Sequence, residues 1–345
     1  MTPACLTLPG HPAHPLTHLA RACALSMWMA VLAFAISAPA RAQTHWDLPT
    51  GYPLSNFHTV NIELFSKDVD HATAGQLKIT VHPNASLLKM PEIKRGVQTA
   101  QVPAGEILLS SHANEDPLFG LDSVPFLATS YADAARLMRA SRPALEKKLA
   151  SQGIRLLFQT PWPPQGIFSA KPLTSAADLK GLKWRAYNPA TARIAELLSA
   201  QPVTIQAAEL SQALATGVVQ SYISSSATGY DTKTFESLKY FYDTKAWLPR
   251  NAVLVNQRAF DALSPAVQKA VLTAASDAEQ RGWALSMEKD RWYTEQLAAK
   301  GMQVAAPSAQ LKADLAKVGE IMTAEWGKTA GAVGDTVLRD YRASH

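Results

Sequence analysis

The sequence predicts an α/β protein built as two domains with mainly parallel sheets. Three observations carry this. Strand-like and helix-like segments alternate along most of the chain, the pattern of βαβ units. About 300 residues follow an N-terminal leader-like segment without an internal repeat or a low-complexity linker, so the domains share crossovers instead of being strung apart. One helical pattern, from Ser264 to about Lys300, has no strong break before Gly301 and would run ~50 Å, longer than one small domain is wide.

The elements follow in order. Residues 45–48 form a short strand, and 53–72 a helix ended near Gly75. Residues 76–82 alternate with period two through Leu77, Ile79 and Val81, the mark of a half-buried strand. Pro91 opens a second helix, and 106–110 is a strand. Ser130 caps a helix over 131–151, with Gly153 behind it. Strands at 154–159 and 183–186 come next, then helices at 190–200 and 207–216, the latter closed by Gly217. Strands at 218–224 and 252–255 precede the long helix, in which Gly282 is the expected bend.

Residues 1–42 contain no Asp or Glu, and Arg21 precedes an apolar run over 24–38 that ends at Ala40-Arg41-Ala42. That order predicts a signal peptide cleaved after Ala42, and the run is too short for a spanning helix. The long polar stretch before Arg21 points to a translation start downstream of Met1. Cys5 and Cys23 both fall in this segment, so the mature chain is expected to hold no disulfide or thiolate site. Taking Arg21 and Arg41 from the 33 basic residues leaves 31 against 28 acidic ones, a balance too even to predict nucleic-acid binding.

No nucleophile elbow, zinc-protease motif, phosphate loop or dinucleotide fingerprint occurs. The histidines at 45, 58, 71, 82, 112 and 345 are scattered without metal-pair spacing, so no metal or cofactor is expected. Ser224-Ser225-Ser226 lacks a glycine elbow and a paired base, and reads as a polar loop that offers hydrogen bonds.

The most informative stretch is Asp178-Leu179-Lys180-Gly181-Leu182-Lys183-Trp184-Arg185-Ala186-Tyr187-Asn188. A guanidinium at a strand end offers planar paired donors that fit a carboxylate, and α/β sheets commonly bind ligands beyond such ends. The stretch resembles the D-L-K-G-[LM]-K-x-R signature of the solute-binding subunits of tripartite ATP-independent periplasmic (TRAP) transporters. His82-Pro83-Asn84 with Leu87, Asp122 through Val124-Pro125-Phe126-Leu127, and Lys171-Pro172-Leu173 are similar to further family segments, in order over the mature chain.

The resemblance implies a two-lobed periplasmic binding protein with a cleft between lobes and a long helix spanning both. Lobe I would comprise 43–162 plus 251–290, and lobe II 163–250 plus 291–345. It implies capture of a small organic acid (a dicarboxylate, keto acid or aromatic acid) in the periplasm, with delivery to a small and a large membrane permease subunit and an ion gradient driving uptake. Arg185 would anchor the carboxylate and Asn188 would hydrogen-bond the ligand. Ser224 stands where many relatives have Asn. Gln165 stands where many carry a second Arg, and its neutral amide argues against a strongly polyanionic ligand. Ser111, His112 and Asn114, and the loop Asn56, Phe57 and His58, match contributing positions of the first lobe. Trp162, Tyr187, Tyr222 and Trp247 join Phe57 as candidate aromatic walls. Two other readings stay open: a binding protein of another transporter class or of a sensor, and a secreted enzyme.

Overall fold

In the computed structural model, residues 1–4, 10 and 43–344 are described. The apolar run 24–38, the expected cleavage after Ala42, Cys5, Cys23 and His345 lie outside the described residues. Among the described residues no helix is long and apolar enough to cross a membrane.

The first lobe is laid down by β1 (Thr44–Pro49) and β2 (Leu77–His82), a parallel pair joined through α1 (Phe57–Ala72). In β2 Leu77 and Ile79 are buried while Lys78 and Thr80 are exposed, as the alternation requires. Beside this pair, β3 (Ala104–Leu108), β10 (Arg250–Asn256) and β4 (Ile154–Pro161) form a sheet of order β3-β10-β4. Apolar clusters cover both sides. Ile62, Phe65 and Val69 of α1 pack on one. Ile93 and Val97 of α2 (Met90–Gln98) and Leu145 and Leu149 of α3 (Tyr131–Ser151) pack on the other. The helix starts match their capping residues: Asn56 accepts from the His58 N–H, and Ser130 accepts from that of Asp133.

The second lobe holds a six-stranded sheet. Its edge-to-edge order is β11 (Gln303–Ala305), β9 (Tyr240–Tyr242), β5 (Gln165–Ser169), β8 (Ser221–Ser225), β6 (Lys183–Ala186) and β7 (Gln201–Thr204). Three of its five pairings are parallel, and the two antiparallel ones both involve β5. In the first lobe β10 is likewise antiparallel to both neighbours. These two strands begin just after the chain passes between lobes, so each enters its sheet against the prevailing direction. The crossing segments are stitched together: the Trp162 N–H donates to Pro249 O, the Gln165 N–H to Trp247 O, and the Ala246 N–H to Gln165 O.

The helix α4 (Pro265–Ala299) spans both lobes. Val267, Val271, Ala274 and Ala278 lie in the first-lobe core and Leu297 in the second. It is helical throughout, Gly282 included. A side chain at 282 would collide with Thr160 and Asn61, which makes this glycine a point of close approach. The sequence reading also did not anticipate α5 (Ala309–Ala343), a long C-terminal helix interrupted at Gly331 (φ 53°). Before that break Leu311, Leu315 and Met322 pack in the second lobe. After it Val337, Leu338 and Tyr341 pack against Leu121 and Leu137 of the first.

Candidate functional site

Between the lobes lies a cavity with ≈ 410 Å³ of empty space. A cavity on this scale suits a small ligand. The first lobe supplies Tyr52, Met90 and Leu108; the crossing segments supply Trp162, Gln165 and Pro249. From the second lobe come Arg185, Tyr187 and Ser224, together with Gln206, Ala207, Ser225 and Thr228.

Arg185 dominates the electrostatics. It is 3 % exposed at the inner end of β6, and its Nε donates to Ile205 O at 3.0 Å. The guanidinium carbon lies 4.8 Å from the centre of the Tyr187 ring and 5.8 Å from that of Tyr222. Among the described residues no carboxylate pairs with it, and its two terminal nitrogens have no hydrogen-bond partner. Burial draws its pKa below the ordinary arginine value, with nearby tyrosines acting in the opposite sense. Burial also pushes the hydroxyls of Tyr52, Tyr187 and Tyr222 up, so these phenols stay neutral. The lining thus offers one cation in an otherwise neutral setting. An unpaired buried charge is costly, and an anion filling the cavity would offset that cost.

Gln165 is held in place: Nε2 donates to Pro163 O at 2.9 Å, and Oε1 accepts from the Tyr187 hydroxyl at 3.1 Å. Ser224 differs, because its hydroxyl has no protein partner among the described residues and is free for a ligand. The Trp162 indole packs edge-on to Tyr52 (ring centres 4.9 Å apart), and its Nε1 donates to Asn251 Oδ1 at 2.9 Å.

Other residues singled out from the sequence lie off the cavity lining, for identifiable reasons. Asn188 is consumed locally. Its Oδ1 accepts from the Thr191 N–H at 2.8 Å, capping the helix Pro189–Leu197, and its Nδ2 donates across the cleft to Ser110 Oγ at 2.8 Å. Asn56 caps α1 and also reaches across, donating to Asp231 Oδ2 at 2.7 Å. Phe57 and His58 pack behind Trp162, at ring distances of 5.4 and 4.3 Å. His112 turns to Glu115 at 3.0 Å, Ser111 Oγ is buried without a partner, and Asn114 is exposed. Tyr222 bonds Thr234 in the second-lobe core, where Trp247 is also buried. Tyr52, Met90 and Leu108 were not read from the sequence. Tyr52 lies just before the flagged loop at 56–58, whereas nothing local marks the other two. Among the described residues no group of three or more His, Cys, Asp or Glu is arranged to hold a metal ion.

Comparison with known proteins yields a consistent set of relatives. The family model described as bacterial extracellular solute-binding protein, family 7, matches residues 52–329. A Bordetella pertussis extracytoplasmic solute receptor binding pyroglutamic acid is 58% identical, with a TM-score of 0.86 over 87% of this chain and 100% of that one. A TRAP solute-binding protein from a marine metagenome, specific for pyroglutamate, is 44% identical, with a TM-score of 0.86 over 87% of this chain and 99% of that one. The 2,3-diketo-L-gulonate-binding periplasmic protein of Escherichia coli (strain K12) is 26% identical over 238 residues, 67% of this chain and 72% of that protein.

Proposed function

The chain belongs to the bacterial extracellular solute-binding proteins of family 7, and from that premise we propose that it captures pyroglutamate, or a similarly small cyclic monocarboxylate, for TRAP-type uptake. The observation that carries this reading is Arg185, a buried guanidinium with no carboxylate partner among the described residues, facing a small cavity whose remaining walls are neutral. A monoanion neutralises that single cation, whereas a dianion would leave one charge without a partner in a dry site.

Pyroglutamate matches the rest of the lining. Its carboxylate pairs with the free guanidinium nitrogens, and its apolar ring carbons lie between Trp162 and Tyr52 on one side and Tyr187 on the other. The lactam offers one donor and one acceptor, suited to neutral groups such as the Ser224 hydroxyl. The 58% identical pyroglutamic acid receptor supports the same ligand class. Sugar acids, named for more distant relatives, carry more hydroxyls than a cavity of this size and lining satisfies.

The chain acts in this reading as a capture protein, exported through its N-terminal segment, with 43–162 plus 251–290 and 163–250 plus 291–345 as its lobes, the last turns of α5 packing back onto the first. Ligand held between them favours the closed form by its differential affinity. The loaded protein then delivers to a small and a large membrane subunit.

Isothermal calorimetry of the purified protein against L-pyroglutamate, L-glutamate, C4-dicarboxylates and hexuronates tests the proposal. Saturable binding of pyroglutamate in preference to L-glutamate, the C4-dicarboxylates and the hexuronates is expected. Tight binding of a dicarboxylate with none of pyroglutamate would overturn it.

A further inference from the structure

We propose that Glu106 is a positioning residue for the ligand cavity, acting through Asn251 on the Trp162 indole and the Tyr52 phenol. The proposal deepens the functional reading above and rests on it for the choice of ligand. Glu106 lies on β3, is 1% exposed and does not line the cavity. Its Oε1 accepts from Asn251 Nδ2 at 2.8 Å and its Oε2 from Thr50 Oγ1 at 2.5 Å, while His58 Nδ1 stands 3.4 Å from Oε1.

A carboxylate only accepts hydrogen bonds, and an amide has a donating and an accepting end. Glu106 therefore fixes the sense of Asn251: the NH₂ must face the carboxylate, so Oδ1 must face the other way. That oxygen receives the Trp162 Nε1–H at 2.9 Å and lies 3.4 Å from the Tyr52 hydroxyl. Reversed, Asn251 would present NH₂ to an indole N–H that cannot accept, and its carbonyl would face a carboxylate. Two buried groups would then lose their partners at once. Tyr52 is the more loosely held wall, since among the described residues its hydroxyl has as its one other hydrogen bond a 3.6 Å contact to Met90 Sδ. The network thus sets the two aromatic walls opposite Arg185 before a ligand arrives.

The test reverses the hydrogen bond. Asn251→Asp keeps an acceptor for Trp162 but removes the donor that faces Glu106. Adding Glu106→Gln restores the pair with its direction exchanged: the new amide donates to the carboxylate now at position 251 and still accepts from Thr50. L-pyroglutamate binding, measured by calorimetry, is expected to weaken at least about tenfold in Asn251→Asp, the scale of a buried group left without its partner. Most of that loss should return in the double variant. Solvent exchange of the Trp162 indole proton, assigned by its absence in Trp162→Phe, should quicken in the single variant and slow again in the double.

Wild-type affinity and unchanged indole exchange in Asn251→Asp would overturn the role. So would a folded double variant no better than the single one. If Asn251→Asp does not fold, the double variant alone decides, and its failure to fold also overturns the proposal, because the exchange preserves every hydrogen bond counted. A wild-type protein that does not bind pyroglutamate would overturn the functional reading instead, while the indole measurement still judges the network.

Discussion

Asn56 Nδ2 donates to Asp231 Oδ2 at 2.7 Å, joining the start of α1 in the first lobe to the segment that follows β8 in the second. Burial pushes the Asp231 carboxyl up to about 6, and the hydrogen bond from Asn56 only partly opposes this. If opening the cleft exposes Asp231 to water, its carboxyl returns toward the ordinary carboxylate range. The closed form therefore holds the proton more tightly. Its penalty for an ionised Asp231 is present above pH 6 and is relieved as pH falls from about 6 toward 3.8. Affinity for a carboxylate ligand should rise about tenfold from pH 7 to pH 5. Asp231→Asn should flatten that slope. Asp290, also pushed up to about 6 by burial, is intact in both proteins, so the difference between them reports Asp231. Equal slopes in the two would refute the link.

Arg185 sets binding against stability. Its buried charge has no carboxylate partner among the described residues, so the empty protein carries an uncompensated desolvation cost. Arg185→Met should raise the melting midpoint of the ligand-free protein while weakening pyroglutamate binding by at least about 2 kcal/mol. Arg185→Lys should fall between, keeping the charge but losing the planar pair of donors. Calorimetry beside thermal melts separates the effects; a fall in both affinity and midpoint for the Met variant would mean that Arg185 supports the fold.

Much of this was legible because local chemistry marks it. Ser130 reads as a helix start because a short polar side chain before a helical run satisfies the first free N–H groups, whereas Asn56 and Asn188, expected as ligand contacts, turn out to cap helices in the same way. Arg185 stood out because a strand ends there within a distinctive motif. Side-chain direction was less legible. Tyr222 and Trp247 belong to an aromatic-rich region, yet their rings turn into the second-lobe core. Met90 and Leu108 reach the cavity from separate elements of the first lobe, and no local spacing encodes that meeting. Glu106 and Asp231 look like ordinary acids in sequence, and only the folded chain brings them to Asn251 and Asn56.

The Asn188–Ser110 contact separates closure from folding. Ser110→Ala removes only the bond across the cleft and leaves Asn188 Oδ1 on the Thr191 N–H. Pyroglutamate binding should weaken by about 1 kcal/mol with little change in ligand-free stability. Asn188→Ala should lose the same affinity and also about 1 kcal/mol of stability through the missing cap. Denaturant melts without ligand, set beside calorimetry, distinguish the two. An equal stability loss in Ser110→Ala would mean that the contact persists when the cleft is empty.

Gly282→Ala brings two opposing effects into one site. Alanine favours a helix interior by about 1 kcal/mol over glycine. Its Cβ, however, would stand 2.7 Å from Asn61 Nδ2, and nearer still to Thr160 Oγ1. Asn61 cannot withdraw freely, because Nδ2 donates to Ala278 O at 2.9 Å and Oδ1 accepts from Arg281 Nε at 2.8 Å. Thr160 sits on β4 two residues before Trp162, so a displaced strand also moves an aromatic wall of the cavity. Overpacking of this kind costs about 1–3 kcal/mol, more than the helix gains. A lower melting midpoint together with weaker pyroglutamate binding is the expected result. A higher midpoint with unchanged binding would mean that helix and strand part easily here, and that Gly282 is not required for their close approach.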